Sequence, residues 1–370
     1  MLRKHKIIKR NSKVYLLLLN LEPEREKLHL KKYSYLFQNL SSSKLHYVWS
    51  PLFIGLWLLL YYLTTLTFYA LPHDIQINET EKGNKFIAER ALNDLRDLTN
   101  NGPRVVGSPQ NEKAVINFFI EKIDAIRKQM NNDMWHLEED VQVVSGTNVI
   151  SNSVNIYQGI QNYVVKLSPK HSNSNSSLLI NSHFDSVPGS PGAGDDGIMV
   201  VVMIEVLRIL AQFSEPLQHS IVFLFNGAEE NSLLGSHGFI MHHKWALTVK
   251  AYINLDSAGN GGREILFQSA ATRGLWLMKV DNAVHPYANT LYEELFQNGI
   301  IPSQTDFKIF RDFGYLPGLD LAQTYNGYVY HTKYDRFEAI PPGSIQNTGD
   351  NLLAIAKGLA NASELQNPMV

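Results

Sequence analysis

The sequence predicts an α/β fold: a mixed, largely parallel central sheet sandwiched by helices, preceded by one transmembrane helix. Two observations carry this. Between Leu178 and Leu255, short β-branched or aliphatic runs alternate with segments of helical period, as in a parallel sheet covered by helices. Upstream, Pro51 to Ala70 (PLFIGLWLLLYYLTTLTFYA) is an uncharged apolar stretch of 20 residues, the length a bilayer core requires.

Taken from the N-terminus, residues 1–46 carry eleven Lys or Arg against three Glu. That charge sits directly before the apolar stretch and lacks interleaved aromatics, so it reads as a topogenic arm and not as a nucleic-acid surface. A cleaved signal peptide fits less well, because the run is long, starts late and lacks a small-x-small cleavage pattern. The expected organisation is a basic cytosolic arm at 1–46, a membrane helix at 47–72 that contacts lipid through 51–70, and a lumenal globular domain at 73–370. The triplets starting at Asn78, Asn175 and Asn361 all follow the span, as acceptors for N-linked glycans should.

Two helices are expected next, at Glu81 to Thr99 and Glu112 to Met130, separated by the turn-rich NNGPRVVGSPQN. VQVVSG and VNIYQGIQNYVVKL, within Val141 to Leu167, suggest a hairpin with a Gly-containing turn. Strands at Leu178 to Ser182, Ser220 to Phe225 and Ala251 to Leu255 then alternate with helices at Ile198 to Phe213 and Leu233 to His242. A last helix runs from Ser344 to Asn361 after Pro341-Pro342-Gly343, and no second domain is expected after it.

Acids and histidines collect where these apolar runs end: His183 and Asp185, Asp195 and Asp196, Glu229 and Glu230, Asp256, and His331. In open α/β sheets ligands bind beyond the carboxyl ends of the strands. Gathering such groups in one cleft is costly unless a cation holds them, so the reading is a metal site, with two metals. The chain of 370 residues has no Cys, so any zinc must be held by His, Asp and Glu. Spaced two apart on extended backbone, His183 and Asp185 share a side of the strand, and Asp185 can accept the second imidazole N–H. Asp195 and Asp196 follow the flexible PGSPGAG; one carboxylate there can bridge two cations, and the pair, Asp196 in particular, can instead cap the next helix. Of Glu229 and Glu230, one can ligate while its neighbour moves a proton. His242 and His243 lack a carboxylate pattern and read as structural.

The ordered combination LLINSHFDSVPGSPGAGDDG, IVFLFNGAEENSLLGS, AYINLDSAG and NGYVYHTKYD resembles the zinc-dependent exopeptidases of peptidase family twenty-eight. NGPRVVGSPQNE and PSQTDFKIFRDFGYLPGLDLA resemble its endoplasmic reticulum metallopeptidase branch. The resemblance implies two Zn²⁺ per chain. Asp195 would bridge them, His183 and Asp256 would complete one site, and Glu230 and His331 the other. It also implies Glu229 as general base, Tyr330 as an oxyanion donor, a peptide or protein substrate, and residence in the endoplasmic reticulum membrane with the catalytic domain lumenal. A glutaminyl-cyclase-like acyltransferase and a non-catalytic receptor or scaffold remain the alternatives. A calcium site would favour more oxygen ligands and no histidine. The loops Ser257 to Arg263 and Leu291 to Phe313 are expected to shape the pocket.

Overall fold

The computed structural model describes residues 49–79, 84–150, 153–270 and 282–366. The basic arm at 1–46 lies outside them. The described residues fall into two units, divided between Ala70 and Leu71. In the first, α1 (Trp49–Tyr69) has no acidic or basic residue and buries none of its side chains. Its 21 residues rise roughly 32 Å at 1.5 Å each, enough for a bilayer core. The hydroxyls of Thr64, Thr65 and Thr67 donate back to carbonyls one turn earlier, so α1 exposes little unpaired polarity. Among the described residues it is the one helix long and apolar enough to cross a membrane.

The second unit is built on a seven-stranded sheet. Its strands are β1 (Trp135–Ile150), β2 (Ser153–Pro169), β3 (Ser177–His183), β4 (Ser220–Asn226), β5 (Val249–Ser257), β6 (Glu264–Ala270) and β7 (Gly318–Gln323), ordered β1-β2-β4-β3-β5-β7-β6. The central β4-β3-β5-β7 are mutually parallel, while β1, β2 and β6 add antiparallel flanks. Mixed and largely parallel is therefore the observed architecture. Every residue of β3 and β4 is buried, as expected when both faces are covered.

Alternation along the strands divides the core. Leu178, Ile180, Phe223 and Ile253 point to one side, where α2 (Ala88–Thr99), α3 (Val115–Gln129), α4 (Ile198–Leu210) and α8 (Pro342–Ala360) pack. Leu179, Val222 and Tyr252 point to the other, toward α5 (Leu234–His242) and α7 (Phe307–Asp312), through Phe239, Phe307 and Phe310. A further helix, α6 (Thr290–Gln297), lies by β6. All but Arg208 of α4 is buried, so its polar groups are paired: Glu205 takes Arg90 and Arg208, and Arg208 also reaches Asp94 at 2.8 Å.

The structure refines the sequence expectations at three places. The hairpin is real but far longer, with strands of 16 and 17 residues, and Gly146 pairs with Tyr157 within β1, beside a register shift, instead of lying in a turn. There a Cβ would come within 2.7 Å of the Tyr157 hydroxyl. The first helix starts later than expected, at Ala88, while the second is preceded without a break by a π-helical turn at Gln110–Ala114, so its helical run begins before the expected Glu112. Strands β6 and β7 were not anticipated, because each carries buried polar residues where a local pattern calls for apolar ones.

Candidate metal centre

All eight residues singled out in the sequence converge where the parallel strands end. His183 is the last residue of β3, Glu229 and Glu230 follow β4 by three and four residues, and Asp256 is the last residue but one of β5. Asp195 arrives on the loop before α4, and Tyr330 and His331 on the loop after β7. His331 has φ +59, a left-handed conformation that costs energy for a non-glycine residue and that functional sites often retain. Its imidazole stacks on the Tyr330 ring at 3.7 Å.

Asp195 is the hub. Its Oδ1 lies 3.2 Å from His183 Nε2 and its Oδ2 lies 3.1 Å from His331 Nε2. His331 Nε2 is also 3.2 Å from Glu230 Oε2. Two groups could each hold a cation, His183-Asp195-Asp256 and Asp195-Glu230-His331, and they share Asp195. The electrostatics fit such ions. Burial works against the Asp195 charge, yet His183 and His331 more than offset it and hold the carboxyl below its usual range. Burial also opposes a charged His331, but Asp195 and Glu230 raise it to about 10. Burial pushes Asp256 and Glu229 well above the usual carboxylate range; His183 opposes the shift in both. Neighbouring acids add to it, Asp256, Asp306 and Glu230 acting on Glu229. Glu230 Oε1 is buried without a hydrogen-bond partner. Nitrogen and oxygen donors with no sulfur suit zinc.

The surrounding residues hold these groups in place. The Asp185 carboxylate receives the backbone N–H of Glu229 at 3.0 Å and of Glu230 at 3.1 Å, so it clamps the loop carrying both acids. His183 Nδ1 lies nearer the Asp185 carbonyl (3.1 Å) than its carboxylate (3.4 Å), and either contact leaves Nε2 free to ligate. Asp196 does not cap α4; it accepts the Ser182 hydroxyl at 2.6 Å. Sequence reasoning missed two supports. Asp335 receives the N–H of Gly194 (2.7 Å) and of Asp195 (3.0 Å). Gly194 is needed there, since a Cβ would lie 2.2 Å from the Gly259 carbonyl. The fully buried Arg104 donates to the carbonyls of Phe184, Pro191 and Gly192, and burial lowers it to about 10. Both sit inside strings already quoted; Arg104 stood out as a lone charge amid turn and apolar residues, whereas Asp335, close to Lys333, gave no such signal.

A cavity of about 730 Å³ opens onto the centre. Asp195, Glu229, Glu230, Asp256, Tyr330 and His331 form one wall; Phe267, Tyr292, Phe296 and Ile301 form an apolar end. The expected loops 257–263 and 291–313 contribute Ser257, Ala258 and residues from Tyr292 to Thr305.

Acids and histidines shared around one carboxylate, at the carboxyl edge of a mixed α/β sheet, define a metallopeptidase-type centre. The chain belongs to peptidase family M28, whose signature matches residues 162–356. It is 44% identical over 317 residues to endoplasmic reticulum metallopeptidase 1 of Homo sapiens, an alignment covering 84% of this chain and 35% of that relative. It thus spans about a third of the length of that relative. Its fold is shared with a zinc aminopeptidase from Bacillus subtilis (TM-score 0.55, 17% identity, 76% of this chain and 97% of that one). It is also shared with the glutaminyl cyclase of Porphyromonas gingivalis (TM-score 0.54, 18% identity, 73% and 98%).

Proposed function

We propose that the chain is a zinc-dependent aminopeptidase that removes N-terminal residues from peptides, with two ions held by His183, Asp195, Asp256, Glu230 and His331. The observation that carries this reading is the pair of ligand groups sharing Asp195, with Glu229 beside them and outside both. Bound there, zinc supplies the Lewis acidity that activates a water near neutral pH and polarises the scissile carbonyl. Glu229 takes the proton of the attacking water and delivers it to the departing amine. Its elevated affinity for protons, set by burial, suits both halves of that transfer. The Tyr330 phenol, kept protonated by burial, faces the same cavity and donates to the developing oxyanion. Asp185 acts through the loop it clamps.

Charge favours the amino end of the substrate. Among the described residues lining the cavity there are four acids, three of them proposed zinc ligands whose charge the ions would neutralise, and no Lys or Arg that could pair with the free carboxylate of a substrate's carboxyl end. The apolar end fits a large hydrophobic first side chain. The test is amino-acid release by the full chain from free and N-acetylated copies of one peptide set, with and without chelator. Zinc-dependent release from the free peptides alone is expected. Release from the carboxyl end of blocked peptides would overturn the aminopeptidase assignment, and zinc binding with no release would favour the cyclase reading.

The same proposal places the peptidase unit in the lumen of the endoplasmic reticulum, on a chain anchored by α1. The basic arm before α1 supports this orientation, and so do the glycan acceptors beyond it. Asn78, Asn175 and Asn361 are all exposed. Asn361 uses its Oδ1 to accept the Gln218 N–H at 3.0 Å, an oxygen that a glycan on Nδ2 leaves in place. Expressed in cells, the chain is expected to gain mobility with endoglycosidase H. The triple Asn→Gln variant should migrate at that position untreated, and an unchanged wild-type band would reverse the topology.

A further inference from the structure

On the same face of the sheet as the metal centre, and two residues before its proposed ligands on β3 and β5, a row of polar side chains crosses all seven strands, all of them buried except the half-buried Gln142. It runs Gln142, Asn162, Asn226, Asn181, Asn254, Asp320, Gln268, in the order of the strands. Strand register aligns Gln142 with Asn162, Asn162 with Asn226, Asn181 with Asn254, Asn254 with Asp320, and Asp320 with Gln268. The central amides donate in one direction: Asn226 to Asn181 (3.2 Å), Asn181 to Asn254 (2.7 Å), Asn254 to Asp320 (2.8 Å). The Ala228 N–H on Asn226 Oδ1 sets that direction. Asp306, from the turn before α7, closes the row from outside, receiving Asn181 (2.9 Å), Asn226 (2.5 Å) and Ser236 (2.5 Å). Asp320 also takes Gln268 (2.9 Å) and Thr305 (2.6 Å).

Two carboxylates are thus buried among neutral donors, which is expensive unless a cation compensates them. Arg311, on α7, spends its guanidinium on Asp312 at 2.6 Å. Burial pushes both carboxyls upward, Asp320 to about 7. Asn181 and Asn254 each precede a proposed ligand, His183 and Asp256, by two residues on the same face, a spacing of roughly 6.6 Å. We infer that Asp306 and Asp320 are an anionic underlayer that strengthens zinc binding at the centre above without touching the ions. This rests on the two-ion reading of the site. Asp306 and Asp320 accept from the Asn181 and Asn254 side chains and so stand a little further off, yet even at about 10 Å a unit charge in a protein interior changes the binding of a dication by tenfold or more.

The test measures zinc affinity by chelator competition, and melting temperature with and without zinc, on the full chain in mild detergent. Wild type is compared with Asp306→Asn, Asp320→Asn and the neutral control Ser236→Ala. The expected result is wild type binding two ions and the two acid variants binding at least tenfold more weakly. Their melting temperature should fall further with zinc than without it, because the amide turns one acceptor into a donor in either state but only the zinc-bound state also loses the attraction. Ser236→Ala should keep wild-type affinity. Acid variants with wild-type affinity, or with an equal loss of melting temperature with and without zinc, would overturn the inference and leave these residues structural. Wild type that takes up no zinc would instead remove the metal-centre reading, and this inference with it.

Discussion

Glu229→Gln is expected to lower kcat by about 10³-fold or more while the zinc content stays at its wild-type value, a loss in the range of general-base removal. The separation of the two readouts follows from position. Glu229 lines the cavity beside the ligands but belongs to neither group that could hold an ion. Its backbone N–H, not its side chain, carries the contact with Asp185, so the amide variant keeps the loop clamped. Steady-state kinetics together with metal analysis of the purified variant checks this. Activity within tenfold of wild type would show that some other group moves the proton.

Asp195→Asn is expected to reduce bound zinc from two ions to at most one and to abolish activity. The reason is sharing: one carboxylate faces both imidazoles, Oδ1 toward His183 and Oδ2 toward His331. An amide keeps the shape but turns one of those acceptors into a donor, so only one side can still ligate. His331→Ala is the contrast, since it removes a ligand from one group alone and should retain one ion. Metal stoichiometry after dialysis distinguishes the two variants. If Asp195→Asn retained both ions, the shared-ligand arrangement would be wrong.

Part of the site was legible because His183, Asp256 and the Glu229-Glu230 pair, its candidate groups from three strands, stand at or just beyond the ends of strands that are themselves legible. IVFLF and YINL are buried on both faces, so their apolar runs are continuous and the residues that follow are thrown to one edge. Strands β6 and β7 escaped the same reading. GLDLAQ is fully buried yet contains Asp320 and Gln323, whose partners Asn254 and Thr348 lie 66 and 25 residues away. A local pattern cannot show that a buried polar group is satisfied by a distant one.

By itself the sequence determined the alternation of strands and helices, the uncharged span at 51–70, and the order in which His183, Asp195, Glu229, Glu230, Asp256 and His331 are delivered to one edge. These depend on periodicities of two and 3.6 residues and on runs of apolar side chains, all of them local. Only the tertiary structure decided that Asp185 clamps the Glu229 loop, that Asp335 and Arg104 hold the loop of Asp195, and that a polar row underlies the centre. Each is a hydrogen bond or an ion pair between segments far apart in the chain. Its strength comes from burial, and burial exists only once the sheet has assembled.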